Sequence, residues 1–168
     1  MATWEQFEAE AAGLAAAVRA RLEAARHHVL ATLRRDGSPR VSGIEVRFAG
    51  PDLVLGSMWG AMKAGDLRRD GRFALHSNPG DGSMSGGDAR VSGRAVEVLD
   101  PGALAAFADA VDPPSRQFHL FRLDIGEVVL VSVDEEQERL LVDLWRPGGP
   151  ARRFTRGNGP EPPAEMAG

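Results

Sequence analysis

The first part of the chain carries apolar residues at spacings of three and four, the period of one face of an α-helix. These residues are Trp4, Phe7, Ala11, Leu14, Val18 and Leu22. Thr3 and Gln6 precede most of the stripe and resemble a capping box, in which two side chains satisfy free N–H groups at a helix start. The pattern predicts an N-terminal helix over residues 1–26.

After residue 28 the helical period gives way to the alternation that is typical of β-strands. Residues 29–33 and 40–48 flank an Asp-Gly turn and predict a hairpin. Further strands are predicted at 53–57, 72–77, 89–99 and 140–145, and residues 118–133 form either two strands or one strand bent at Gly126. A short helix is predicted at 60–69, and a second one opens behind the N-cap pair Asp100 and Pro101. Residues 78–87 lack periodicity and predict a flexible loop.

Short neighbouring strands joined by tight turns favour an antiparallel sheet over a parallel one. We therefore expect a mainly β fold with peripheral helices (α+β), a six- to seven-stranded antiparallel split β-barrel that forms one domain over residues 1–146. Gly and Pro dominate residues 147–168, which predicts a tail whose last ten or so residues are disordered.

Charge and composition narrow the classes of function. The net charge of −4 argues against nucleic-acid binding, and the absence of cysteine excludes disulfides, thiolate metal sites and thiol nucleophiles. The four histidines show no metal-ligand spacing, so no metal site is expected. The sequence has neither an apolar stretch long enough for a membrane span nor the layout of a signal peptide, so we expect a cytoplasmic protein without membrane contacts.

One distributed pattern points to a phosphate. Arg40 begins a predicted strand, Ser57 ends another, and Lys63, the single lysine, lies at the start of a short helix. A hydroxyl, two cations and the free N–H groups of a helix start suit a phosphate ester. A solvated surface lysine and a strand-edge arginine are the more common reading of the same residues.

The chain resembles the pyridoxamine 5′-phosphate oxidase-like flavin and deazaflavin oxidoreductases in three runs: ATLRRDGSPRVSGIEVRF, LVLGSMWGAMKAGDLRRDGRFALH and GDARVSGRAVEV. The resemblance covers roughly residues 25–146. It implies a flavin site, with no catalytic residue assigned, formed by Arg40, Val41, Ser42, Ser57, Met58, Trp59, Met62, Lys63, Asp88 and, from the partner subunit, Trp145. Met62 stands where many relatives carry an arginine, which implies weaker binding of FMN.

The function implied is an oxidoreductase that uses FMN for hydride transfer to or from an unidentified small molecule. The Arg-Leu-His-Asp-Arg segment that recognises pyridoxal phosphate in the true oxidases is missing, so authentic pyridoxamine phosphate oxidase activity is not expected. Two alternatives stay open: a deazaflavin coenzyme of the F-420 type, held through Arg68, Arg69 and Arg152, Arg153 and Arg156, or a non-catalytic flavin- or haem-binding protein with His76 or His119 as axial ligand.

Apolar residues on both faces of the segment 118–133 need more cover than one barrel interior supplies. Together with the resemblance, this predicts a homodimer with the cofactor between its subunits and Trp145 at or near the interface.

Overall fold

The computed structural model describes residues 1–80, 86–134, 136 and 138–166. The central part of the predicted loop at 78–87 and the two terminal residues of the predicted tail lie outside this range. Within the range the chain forms four helices and ten strands.

The predicted N-terminal helix is divided in two, α1 (Trp4–Glu10) and α2 (Ala12–Glu23). Ala11 interrupts it because its backbone leaves the helical region, with φ −148° and ψ 56°. The predicted end near residue 26 is therefore three residues too late. Half of the capping box forms: Thr3 Oγ1 accepts from the Gln6 N–H at 3.1 Å, whereas the Gln6 side chain donates to Glu10.

The strands follow the predicted order with shifted bounds. They are β1 (His28–Leu33), β2 (Pro39–Ile44), β3 (Val46–Ala49), β4 (Asp52–Met58), β5 (Arg72–His76), β6 (Asp88–Glu97), β7 (Phe118–Asp134), β8 (Arg139–Trp145), β9 (Arg152–Arg156) and β10 (Ala164–Glu165). Helix α3 (Met62–Arg69) lies between β4 and β5, and α4 (Pro101–Val111) lies between β6 and β7. The predicted strand at 40–48 is two strands, because Glu45 separates β2 from β3.

All strand pairings are antiparallel, in the order β10-β9-β8-β7-β6-β5-β1-β2, while β4 joins β7 and β3. Strands β2 and β3 thus lie at two edges of the sheet although one residue separates them, and this covalent link curves the sheet around its core. The sheet does not close, which confirms the α+β split barrel. The ten strands of the described residues exceed the six or seven predicted.

Strand β7 is continuous, and its register against β6 shifts between Ser92 and Gly93, which leaves Gly126 without a partner. The predicted irregularity at Gly126 is therefore a β-bulge inside one long strand. Gly93 is required opposite it, since a Cβ there would lie 2.0 Å from the carbonyl oxygen of Asp124.

Strands β9 and β10 lie inside the segment that the sequence assigns to a tail. Strand β9 pairs with β8 from Leu140↔Arg156 to Leu144↔Arg152, and Arg153 forms a bidentate pair with Asp143 at 2.6 and 2.8 Å. Backbone pairing and ion pairs order this segment without an apolar pattern. The predicted domain boundary at 146 and the disorder of the last residues stay predictions.

The core lies between the two N-terminal helices and the concave face of the sheet. Phe7 packs against Trp145 with ring centroids 4.6 Å apart, and Trp4 meets both Phe7 and Phe48 edge to face. The guanidinium of Arg19 covers the ring of Phe48 at 3.8 Å. No helix among the described residues is long and apolar enough to cross a membrane.

His28 links stability to pH. The side chain is buried, and its Nδ1 accepts a hydrogen bond from the Asn78 N–H at 3.2 Å. Burial lowers the pKa of His28 below its ordinary 6.5, against an opposing backbone hydrogen bond with Leu22. The unfolded chain therefore takes up this proton first as the pH falls.

We expect the free energy of unfolding to be highest above pH 6.5 and to decrease as the pH falls through that value toward the lower pKa of folded His28. Urea unfolding at about pH 7.5 and about pH 5.5 measures the decrease. The decrease should be smaller in His28→Gln than in the parent. It should be unchanged in the control His76→Gln, because His76 bonds to the Ser77 carbonyl and is not among the groups that shift the pKa of His28. Equal decreases in all three proteins would contradict the assignment.

Candidate functional site

A cleft of about 790 Å³ opens beside the end of β4 and the start of α3. It brings together four of the residues singled out in the sequence: Ser57, Met58, Trp59 and Lys63. The other walls come from the end of β2, from α4 and from the segment that follows α4, including Phe107 and Phe118. The cleft is therefore shared by elements that lie far apart in the chain.

Ser57 is the most informative residue of the cleft. Its side chain is buried, and its Oγ has no hydrogen-bond partner within the described part of the chain. A buried hydroxyl without a partner is unfavourable by about 1–3 kcal/mol, so such groups usually serve a ligand or a water. Ser42 Oγ, on the inner face of β2, is in the same situation.

Lys63 lies one residue inside α3 and reaches across the cleft to β2. Its Nζ donates a hydrogen bond to the carbonyl of Gly43, and desolvation lowers the pKa of the ammonium group. Gly60, at φ +72°, makes the turn before the helix, and the Ala61 N–H closes it on the Met58 carbonyl at 3.1 Å. The turn therefore places Lys63, the second residue of α3, at the cleft.

Arg40 has a partner within the chain. Its Nε donates to Oδ2 of Asp66 at 2.6 Å, and Arg40 does not line the cleft. Thr32 Oγ1 donates to the same oxygen at 3.0 Å, and Arg69 donates to Oδ1 at 3.2 Å. Burial raises the pKa of Asp66, but the hydrogen bonds from Arg40, Thr32 and Arg69 outweigh it and hold the pKa below its ordinary value.

The remaining predicted residues divide between the sheet surface and the core. Val41 and Ser42 lie on opposite faces of β2, as the alternation of a strand requires. Met62 is exposed at the start of α3. Asp88 begins β6 and Trp145 ends β8, and neither lines the cleft. Trp145 is fully buried against Phe7, so within this chain it is a core residue.

Two groups near the cleft escaped the sequence analysis. Arg26 and His27 both contact Oε1 of Glu45, at 3.0 and 3.3 Å, on the wall opposite Ser57. His119, considered only as a haem ligand, lies behind Trp59 with its ring stacked on the indole at 4.7 Å and an interplanar angle of 4°. The residues next to His119 in the sequence do not indicate this contact, because Trp59 lies in the turn between β4 and α3 while His119 lies on β7.

Comparison with known proteins identifies the fold family. The family model of pyridoxamine 5′-phosphate oxidase matches residues 14–132. The chain belongs to the pyridoxamine 5′-phosphate oxidase-like family. No curated protein sequence matches it significantly.

Solved structures show the same fold at low sequence identity. A Listeria innocua protein, provisionally named a pyridoxamine 5′-phosphate oxidase, is 17% identical with a TM-score of 0.57, over 67% of this chain and 94% of its own. The Vibrio cholerae haem storage protein HutZ is 14% identical with a TM-score of 0.55, over 67% and 91%. A haem-binding protein of Mycobacterium smegmatis is 24% identical with a TM-score of 0.51, over 78% and 57%.

Solved structures with this fold are thus described both as a provisionally named oxidase and as haem proteins, so the fold does not select the cofactor. Within the described residues no cluster of three His, Asp or Glu side chains is arranged to hold a metal ion. The choice between cofactors rests on the cleft itself.

The Asp66 cluster generates a stability prediction. We expect Arg40→Ala to lower the free energy of unfolding by about 2–4 kcal/mol, because it removes a charged donor from a buried carboxylate. Lys63→Ala should change it by less than about 1 kcal/mol, because Lys63 donates only to a backbone carbonyl at the cleft surface. Urea denaturation of both variants decides the point. Similar values for the two variants would contradict the difference.

Proposed function

We propose that this family member is an oxidoreductase that binds FMN in the cleft, with the phosphate at Ser57, Lys63 and the start of α3. The observation that carries the proposal is that Ser57 lines the cleft while its buried Oγ has no hydrogen-bond partner among the described residues. A phosphate oxygen is a suitable acceptor for that hydroxyl, and the ammonium group of Lys63 supplies the countercharge.

The residues present fit such a group. The cleft volume of about 790 Å³ lies within the range of about 300–1,000 Å³ that is usual for small-molecule sites. One polar end, formed by Ser57 and Lys63, adjoins an apolar wall that includes Met58, Trp59 and Phe107. This arrangement suits a ligand with an anionic end and a planar, largely apolar end.

In this proposal the residues of the chain bind the phosphate of FMN and orient its ring. Ser57 donates to the phosphate, Lys63 pairs with it, and the ring of Trp59 offers a flat apolar surface beside it. FMN, when bound, supplies the hydride chemistry. The protein then needs no acid–base pair of its own, and its substrate is a small molecule. The run LLVDLWRP, which covers most of β8 and the two residues after it, has a single basic residue, Arg146, which pairs with Glu127, so it does not favour pyridoxal phosphate.

The two alternatives have less support from the contacts. A polyanionic deazaflavin tail would need free cations. Of the five arginines considered for it, four are paired, Arg68 with Glu97, Arg69 with Asp66, Arg152 with Glu165 and Arg153 with Asp143, and only Arg156 has no ion pair among the described residues. Haem ligation would need a free ring nitrogen, and His119 has hydrogen-bond partners at both nitrogens, while His76 has one at Nδ1. The FMN proposal requires no such contact to break.

Replacement of the phosphate-binding groups tests the site. We expect Lys63→Ala and Ser57→Ala each to weaken FMN binding by about 1.5–3 kcal/mol, the usual contribution of a charge-assisted hydrogen bond. Isothermal titration or flavin fluorescence gives the affinities. The control Arg156→Ala removes an exposed cation from β9 and should bind FMN like the parent.

Parent-like affinity in both site variants would place the phosphate elsewhere. If the parent binds haem or a deazaflavin and does not bind FMN, the proposal of FMN as the cofactor is wrong.

Met62 offers a gain-of-function test. Its side chain is exposed at the first position of α3, next to Lys63. Met62→Arg adds a cation there and should tighten FMN binding by about 1 kcal/mol or more, with little effect on riboflavin, which has no phosphate. Met62→Gln is the uncharged control of similar length. Equal tightening of FMN and riboflavin would mean that residue 62 does not face the phosphate.

A homodimer forms part of the proposal. Two large apolar side chains, one on β2 and one at the end of β4 beside the cleft, are exposed in the single chain: Val41 by 69% and Met58 by 79%. A second copy seated on this surface would cover them and deepen the cleft.

We expect sedimentation at micromolar concentration to give twice the mass of the chain. Val41→Glu should raise the dimer dissociation constant by about tenfold or more, because it places a charge in an apolar interface. The control is Val96→Glu, which places the same charge at an exposed valine of β6. A monomeric parent would refute the dimer.

A further inference from the structure

His119 and Glu97 form a buried polar pair behind the wall of the cleft. His119 is 6% exposed, and its Nδ1 lies 2.8 Å from Oε1 of Glu97. The other carboxylate oxygen of Glu97 forms an ion pair with Arg68, whose Nε lies 2.9 Å away. Glu97 is the last residue of β6, His119 is the second residue of β7, and Arg68 lies on α3. The three side chains therefore connect three elements.

The hydrogen bonds define the tautomer of His119. A carboxylate only accepts, so Nδ1 carries the proton that Glu97 receives. The Gly60 N–H only donates, and it lies 3.4 Å from Nε2, so Nε2 is the acceptor. The imidazole is thereby held with its acceptor nitrogen directed at the turn that precedes α3.

The same ring supports Trp59. The indole and the imidazole are parallel within 4°, with centroids 4.7 Å apart, although the indole remains largely exposed on its other side. His119 does not line the cleft, whereas Trp59 does. Any effect of His119 on a ligand in the cleft therefore passes through Trp59 and Gly60.

We propose that His119 is a positioning residue, whose bond with the Gly60 N–H and whose ring together hold Trp59 as a fixed wall of the cleft. Glu97 and Arg68 are the charged groups that face it, and they orient the ring so that Nε2 meets Gly60. This inference rests on the proposed function only in taking the ligand of the cleft to be FMN.

Two near-isosteric substitutions separate the roles of the two ring nitrogens. His119→Gln places a carboxamide near the position of Nε2 and keeps an acceptor for Gly60. His119→Asn places one near Nδ1, so it keeps a group for Glu97 and loses the bond to Gly60. The matched control is His76→Asn, because His76 bonds to the Ser77 carbonyl on β5 and does not contact Trp59.

Acrylamide quenching of tryptophan fluorescence reads out the wall directly. Trp4 and Trp145 are 1% and 0% exposed, so the quenchable emission belongs to Trp59. We expect His119→Asn to increase quenching and to weaken FMN binding by about tenfold, His119→Gln, which keeps the bond to Gly60 but loses the ring, to change both by less, and His76→Asn to equal the parent. Glu97→Ala, which frees the ring, should match His119→Asn and serves where that variant does not fold.

Equal behaviour of the Gln and Asn variants, or parent-like quenching in both His119→Asn and Glu97→Ala, overturns the inference. Quenching is measured without cofactor, so it decides the position of Trp59 even where the parent binds no FMN and the proposed function fails. Altered quenching with unchanged FMN affinity also overturns it, because the wall would then not matter to the ligand.

Discussion

The buried carboxylate of Asp66 is the constraint on which the site depends. It accepts from Thr32 on β1, from Arg40 on β2 and from Arg69 within its own helix α3. A charge in this position is stable only while such donors surround it, so the hairpin and the helix are held in one relative position. That position sets the start of α3, with Lys63, against the end of β2.

Helix α3 has a second anchor on its other side. Consecutive residues Arg68 and Arg69 pair with different acids, Glu97 at the end of β6 and Asp66 within the helix, and Arg69 also donates to the Leu33 carbonyl of β1. The turn that carries Trp59 and Gly60 therefore connects β4 to a helix whose position is fixed by ion pairs with Glu97 and within the Asp66 cluster. A cleft wall made of such a turn is preorganised, which reduces the entropy lost when a ligand binds.

The family does not determine the cofactor, and the proposal of FMN rests on the side chains of the cleft. A split barrel of this type supports oxidases and haem proteins alike, because the sheet supplies a scaffold while the ligand is recognised by a few side chains. The FMN proposal rests on three such side chains at the cleft: Ser57, whose Oγ has no hydrogen-bond partner among the described residues, Lys63 and Trp59. His119, one of the two histidines considered for haem, has hydrogen-bond partners at both ring nitrogens.

The sequence by itself determined what depends on near neighbours. The turn at Asp36 and Gly37, the caps at Thr3 and Asp100 and the alternation of β1 and β2 use contacts within a few residues, and all were predicted. Only the tertiary structure decided which distant groups meet. Arg40 finds Asp66 across 26 positions and Gly60 finds His119 across 59, because sheet register and helix placement, and not local preference, bring them together. Strand β9 is also decided by tertiary structure, since its residues have no strand pattern in the sequence and form a strand by pairing with β8.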